Sequence, residues 1–112
     1  MPGRLRIPAV SPGDLAEGAY LIDVREPGEW DAGHAPGAYH LPMMELPGRV
    51  AEVPTDREVV VVCRVGGRSA QVVAYLRAQG FDNVVNLDGG MQRWQAEGLP
   101  LVSEDGFAAR ID

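Results

Sequence analysis

A chain of 112 residues, 46% of them apolar, has the size of one compact domain with a single hydrophobic core. Its formal net charge of −6 argues against general binding to nucleic acid or to an anionic membrane surface. One cysteine excludes an intramolecular disulfide, and with only two histidines it excludes an ordinary cysteine-rich zinc site, so we expect neither a metal nor another cofactor.

Turn-forming residues divide the first half of the chain into short elements. Ser11 and Pro12 have the residue types of an N-cap and a first helical position, which predicts a helix start there. The nearly continuous apolar run 19–24 is typical of a buried parallel strand. The further predicted elements of this half are helical turns over 26–32 ended by Gly33, a loop over 34–38, a short strand over 39–42 and a helix over 43–53.

The second half has clearer helix and strand patterns. The valine-rich run 58–62 predicts a buried strand, and residues 69–79 have the apolar spacing of an amphipathic helix that ends at Gly80. The remaining predicted elements are a strand over 83–87, a turn at Gly89 and Gly90, a helix over 91–97 closed by Gly98 and Pro100, and a patternless tail over 103–112 that we expect to be mobile. Strands that alternate with helices predict an α/β fold with a mostly parallel sheet.

The single cysteine lies at the carboxyl end of the strongest predicted strand, where parallel sheets bind their ligands. The segment that begins there is Cys63, Arg64, Val65, Gly66, Gly67, Arg68 and Ser69, and it predicts a tight loop leading into a helix. The positive end of the helix dipole, unpaired backbone N–H groups and two guanidinium charges are each expected to lower the pKa of the Cys63 thiol. We therefore expect a reactive thiolate with a small anionic or polarised ligand above it.

Four motifs occur in a familiar order. They are Asp-Val-Arg-Glu at 23–26, a segment over 29–38 with Ala35 where a branched aliphatic residue is more usual, the loop over 63–69, and a closing segment over 86–91 with Trp94 and 98–100. Together they resemble the single-domain rhodaneses, a family of sulfurtransferases, over roughly residues 7–102. The resemblance implies a five-stranded, mostly parallel sheet flanked by helices on both faces. It also implies that Cys63 carries a persulfide.

A cysteine-dependent phosphatase or arsenate reductase is a competing interpretation, because phosphatases of this kind also place an arginine after a short loop. Four residues separate Cys63 from Arg68, whereas the phosphatase pattern has five and commonly a histidine at the position of Val62. The shorter loop makes a narrower cradle, which favours a single sulfane sulfur over a phosphoryl group. Asp88 is the candidate for the general acid that a phosphatase needs, but a cap of the following turn explains it more simply.

The resemblance implies a thiosulfate sulfurtransferase that moves a sulfane sulfur from thiosulfate or a persulfide to cyanide or a thiol. Arg64 and Arg68 are expected to hold the anionic donor, and the amides of residues 65–69 to stabilise the outer persulfide sulfur. Because the chain has no second cysteine, the acceptor must come from outside, and it can be a protein. The alternatives are a persulfide carrier or docking module for a protein partner and, third, an inactive binding module.

The other polar residues of the motifs are interpreted as structural. Asp23 and Arg25 are expected to form an ion pair or to bind nearby loops, and His34 and His40 to support loops. Residues 1–10 lack the apolar core of a signal peptide, and no apolar run approaches the ~20 residues of a membrane-spanning helix. We therefore expect one cytoplasmic domain over 1–112, with its core at about 7–102.

Overall fold

The computed structural model describes residues 7–112 and contains a five-stranded sheet. Its strands are β1 (Ala9–Val10), β2 (Tyr20–Asp23), β3 (Tyr39–His40), β4 (Val59–Val62) and β5 (Val84–Leu87). They lie in the order β1-β5-β4-β2-β3, and each neighbouring pair is parallel. This sheet confirms the predicted α/β fold. The first six residues of the predicted domain lie outside the described part.

Helices and 3₁₀ segments connect these strands. The described elements are α1 (Pro27–Ala32), α2 (Gly67–Ala78), α3 (Gly90–Ala96) and the 3₁₀ segments Pro12–Asp14 and Leu46–Glu52. The helix predicted over 43–53 is present only in part, as the second 3₁₀ segment, within which Arg49 departs from helical geometry (φ −131°, ψ 25°). Pro47 lacks an amide donor and Gly48 is a weak helix former, which accounts for the difference. Within residues 7–112, no helix is long and apolar enough to cross a membrane.

Both faces of the sheet are covered, which explains the uninterrupted valine run of β4. Val59 and Val61 pack on one face, while Val60 and Val62 pack on the other, and all four are fully buried. The first face contacts α2 and the segment Leu46–Glu52, and the second contacts α3. Helices on both faces agree with the implied architecture.

The tail over 103–112 folds back along the end of α1. The Glu104 amide donates to the Asp31 carbonyl (2.8 Å), and the Arg110 amide donates to the Ala32 carbonyl (3.0 Å). A Cβ atom on Gly33 would lie only 2.2 Å from the Arg110 carbonyl oxygen, so glycine allows this close approach. The tail contains no helix or strand in the described structure, as expected, and its mobility stays a prediction.

Candidate active site

The loop after β4 wraps around the sulfur of Cys63. Three hydrogen bonds reach its Sγ atom, from the Gly66 amide (3.1 Å), the Ser69 amide (3.3 Å) and the Ser69 hydroxyl (3.2 Å). Cys63 is only 1% exposed, so its sulfur lies buried beneath the loop, which forms a cradle around it. Donors that converge on one atom from a loop and a helix N-terminus are suited to stabilise negative charge there.

The pKa of the Cys63 thiol reflects two opposing effects. Burial acts to raise this pKa, but the hydrogen bonds to the sulfur outweigh it, and the pKa is lowered overall. The contributing donors are the Ser69 hydroxyl and the amides of Ser69, Gly66 and Val65. The direction agrees with the prediction from sequence. The two guanidinium charges invoked there are not among the main causes.

Gly66 and Asn86 contact each other beside the sulfur and help to shape the cradle. Gly66 has φ 115°, a left-handed conformation that favours glycine, and it precedes the first turn of α2. The Asn86 side-chain amide, on β5, donates to the Gly66 carbonyl (3.1 Å), while its Oδ1 accepts the Ser69 hydroxyl (2.5 Å). The sequence analysis counted Asn86 in the closing motif over 86–91 but gave it no role in the site. An amide side chain within the otherwise apolar run 84–87 was the signal that could have identified it.

The N-terminus of α3 holds the backbone of the same loop. The Met91 amide donates to the Cys63 carbonyl (2.8 Å), and the Gln92 amide donates to the Arg64 carbonyl (2.9 Å). A Cβ atom on Gly90 would lie 2.6 Å from the Cys63 carbonyl oxygen and 2.5 Å from that of Arg64. The glycine turn predicted between β5 and α3 therefore lets α3 approach the loop backbone directly.

The two arginines of the loop have different partners. Arg68 donates to both carboxylate oxygens of Glu29 on α1, at 2.7 and 2.9 Å. The bond from Arg68 lowers the pKa of Glu29 to about 2. Arg64 instead donates through Nε to the backbone oxygen of Asp112 (2.5 Å). Arg68 was expected to hold an anionic donor, and here its guanidinium group is engaged by a carboxylate of the chain itself.

The remaining loop positions form its outer surface. Val65 is 52% exposed, and a Cβ atom on Gly67 would meet nothing within 4 Å.

Asp88, the candidate acid of a phosphatase, forms a salt bridge with Arg93 of α3 (2.8 Å). Its carboxylate therefore has a partner on the exposed side of that helix.

Asp23 and Arg25 form a fully buried ion pair at the end of β2. Arg25 Nε donates to Asp23 Oδ1 (2.9 Å), and Arg25 Nη2 donates to Asp23 Oδ2 (2.8 Å). The same Nη2 group also donates to the Gly33 carbonyl (2.6 Å). This geometry agrees with the structural interpretation of the pair, because it ties the end of β2 to the end of α1.

The two histidines also contact loops and neighbouring rings. His34 and His40 stack on the Trp30 ring, with centroid distances of 3.5 and 4.7 Å. His34 Nε2 lies 3.0 Å from a carboxylate oxygen of Glu104 in the tail, and His40 Nε2 lies 2.8 Å from the Arg25 carbonyl. Within residues 7–112, no three His, Cys, Asp or Glu side chains are grouped to hold a metal ion.

Comparisons with known proteins find similar proteins over most of the chain. The family model of the rhodanese-like domain matches residues 12–97. A sulfurtransferase of Allochromatium vinosum is 47% identical over 90 residues, which cover 80% of this chain and 84% of the relative. A thiosulfate sulfurtransferase of Pseudomonas entomophila is 40% identical over 81 residues, 72% of this chain and 74% of the relative. The crystal structure of a rhodanese-related protein from Thermoplasma volcanium, 34% identical, superposes with a TM-score of 0.79 over 85% of this chain and 97% of that one.

Proposed function

This chain belongs to the rhodanese-like domain family, and on that premise we propose that it is a sulfurtransferase that carries the transferred sulfur on Cys63. The observation that carries the proposal is the set of three hydrogen bonds that converge on Sγ and lower the pKa of the thiol. The thiolate is the nucleophilic form of cysteine, so these bonds favour the reactive state. The names of the curated relatives support sulfur transfer as the general reaction.

The transfer takes place in two displacements at the same sulfur. In the first, the Cys63 thiolate attacks the outer sulfur of thiosulfate or of a persulfide, and the S–S bond of the donor breaks. Sulfite or a thiolate leaves with the bonding electron pair, and Cys63 holds one additional sulfur. In the second, cyanide or an acceptor thiolate attacks that outer sulfur, and the Cys63 thiolate is the leaving group. Such covalent catalysis predicts ping-pong kinetics.

The residues of the loop have separate proposed roles. The donors from Gly66 and Ser69 stabilise the Cys63 thiolate before the first displacement and as it leaves in the second, and each such preorganised donor contributes about 3 kcal/mol. The amides of residues 65–69 stabilise the outer sulfur. Arg64, at the rim, attracts the donor. The acceptor is external because the chain has a single cysteine, and it is a small nucleophile or a protein thiol.

Intact-mass spectrometry after mixing with thiosulfate or with cysteine persulfide tests the proposal. We expect a mass gain of one sulfur, about 32 Da, which cyanide removes as thiocyanate. Cys63→Ser should show no gain and keep the fold. Sulfur transfer by the Cys63→Ser protein would contradict the mechanism. An adduct that cyanide does not remove would favour the carrier or docking module, and the absence of any adduct would favour a binding module or a phosphatase.

A further inference from the structure

Glu29 of α1 and Arg68 of α2 form a salt bridge next to the loop of Cys63. Both carboxylate oxygens of Glu29 accept hydrogen bonds from the Arg68 guanidinium, and the two side chains are 22% and 36% exposed. Glu29 is also fixed by α1, since its carboxylate accepts the Glu26 amide (3.0 Å) in a capping box. A bidentate pair with one partner held by a helix is a persistent contact.

This pair borders the reactive sulfur. Arg68 precedes Ser69, whose amide and hydroxyl contact Sγ. Glu29 raises the pKa of Arg68 most, and the charge of Cys63 also contributes to that rise, so Arg68 is electrostatically coupled to the sulfur. Arg64 donates to a backbone oxygen of Asp112 (2.5 Å) and not to Glu29. Glu29 therefore offsets the positive charge of Arg68 and leaves that of Arg64 unchanged.

We propose that Glu29 is a specificity-determining residue, which cancels the charge of Arg68 and so favours organic persulfides over thiosulfate as sulfur donors. The inference rests on the proposed sulfur transfer at Cys63 and narrows its donor class. Thiosulfate brings two negative charges towards the thiolate of a buried cysteine, where each uncompensated charge is costly. The reacting end of a protonated persulfide, R–S–SH, brings none.

The first displacement with a persulfide donor needs no reactant besides Cys63 and the donor. The Cys63 thiolate forms a bond to the terminal sulfur of R–S–SH, and the S–S bond of the donor breaks. The leaving group R–S⁻ takes the electron pair, and the proton of the donor stays on the new Cys63–S–SH group. The negative charge thus moves from Cys63 to the departing thiolate, so the step needs no second positive charge in the loop.

Glu29→Gln is a close test, because glutamine keeps an acceptor for the Glu26 amide and for Arg68 but removes the negative charge. We would measure kcat/KM for three donors with cyanide as the common acceptor: thiosulfate, a singly charged aryl thiosulfonate and cysteine persulfide. We expect kcat/KM to rise about tenfold for thiosulfate, less for the thiosulfonate and least for cysteine persulfide. For each donor, dividing kcat/KM of the variant by kcat/KM of the wild type removes the intrinsic differences in donor reactivity.

Two further variants complete the test. Asp31→Asn makes the same change in net charge on the exposed side of α1 and should leave all three ratios near one. Arg68→Gln leaves the Glu29 carboxylate uncompensated, so kcat/KM should fall more for thiosulfate than for cysteine persulfide. Ratios for Glu29→Gln that are equal across the donors, or unchanged for thiosulfate, would overturn the inference. Failure of the wild-type protein to take sulfur from any donor would overturn the proposed function instead.

Discussion

At Ser69 a single hydroxyl proton faces three acceptors. The Ser69 oxygen lies 3.2 Å from Cys63 Sγ, 3.2 Å from the Gly66 carbonyl oxygen and 2.5 Å from Asn86 Oδ1. A hydroxyl group donates one hydrogen bond at a time, and a charged acceptor forms the stronger one. We infer that the hydroxyl donates to the sulfur when Cys63 is a thiolate and turns to Asn86 or Gly66 when the sulfur is neutral.

Replacement of Ser69 by alanine should therefore raise the pKa of the Cys63 thiol, since the hydroxyl is the strongest of the groups that lower it. At a pH below the Cys63 pKa of both proteins, a smaller fraction of Cys63 is thiolate in Ser69→Ala. Alkylation of Cys63 by iodoacetamide should therefore be about tenfold slower in the variant than in the wild type. At high pH the Cys63 thiol is fully ionised in both proteins, so the two alkylation rates should converge. Ser103→Ala, in the tail, is the control. Superimposable pH–rate profiles for Ser69→Ala and wild type would exclude this role of the hydroxyl.

How far the candidate site is predictable from sequence differs between its residues. Cys63 and its loop are continuous in sequence, so the strand–loop–helix pattern alone places the sulfur beside backbone donors. Glu29 and Arg68 are 39 residues apart, and no local pattern connects α1 to the first turn of α2. Sequence reasoning consequently assigned Arg68 to the donor, because it had no means of finding the carboxylate that occupies the guanidinium.

At the level of elements, α3 supports the reactive loop through its N-terminal amides and through the glycine that precedes them in the turn. Gly90 has φ 59° and packs against the carbonyl groups of Cys63 and Arg64. Any side chain at this position would separate α3 from the loop and move the Gly66 and Ser69 donors relative to the sulfur. The Gly89–Gly90 turn therefore helps to position the residues of the site.

Gly90→Ala should destabilise the fold by about 2 kcal/mol or more and lower kcat/KM for sulfur transfer at least about tenfold. Gly98→Ala is the matched control, because Gly98 also has a positive φ of 75° but a Cβ atom there meets nothing within 4 Å. It should show the backbone strain without the loss of transfer. Urea denaturation and donor kinetics on both variants measure the difference. Equal effects at the two glycines would show that strain alone explains them.

Elements with strong local patterns were predictable, and elements that depend on tertiary contacts were not. The strand predicted over 58–62 and the helix predicted over 69–79 match β4 and α2 to within two residues. The strand is buried on both faces and the helix on one, and each kind of burial leaves a clear apolar pattern in the sequence. The strand β1 is only two residues long and exists through its pairing with β5, so it had no periodicity to detect. The helix predicted over 43–53 contains Pro47 and Gly48, and the chain forms a 3₁₀ segment there instead of a regular α-helix.

At the scale of the whole molecule, strand order brings the site together. In the order β5-β4-β2, the strands β5 and β2 flank β4, and all three are parallel. Their carboxyl ends therefore meet at one edge of the sheet. The loop of Cys63, the turn into α3 and the start of α1 with Glu29 follow these ends. Chain order alone does not reveal this adjacency, which explains why the contributions of α1 and α3 appear only in the fold.

The tail over 103–112 packs at the margin of the domain core. We propose that residues 7–102 form the core and that 103–112 is an accessory segment, held by the Glu104 and Arg110 amides and by Ile111, which packs at the edge of the core. Each such hydrogen bond contributes about 1 kcal/mol, so removal of 103–112 should lower the free energy of unfolding by about 2 kcal/mol while the fold persists. Sulfur loading of Cys63 should stay within about threefold of the full chain, because no hydrogen bond to Sγ comes from the tail and Arg64 keeps its charge when its partner Asp112 is removed.

Urea denaturation and loading kinetics on the chain without 103–112 measure both effects. Glu104→Ala is the control, since it removes only the carboxylate near His34 and should cost less than the whole segment. Hydrogen exchange in the full chain adds an independent readout. The Glu104 and Arg110 amides should exchange more slowly than exposed amides if the contacts with α1 persist, and as fast as exposed ones if the tail is mobile. A shortened chain that does not fold would mean that the core includes the tail, because the Gly33–Arg110 approach would then be part of its packing.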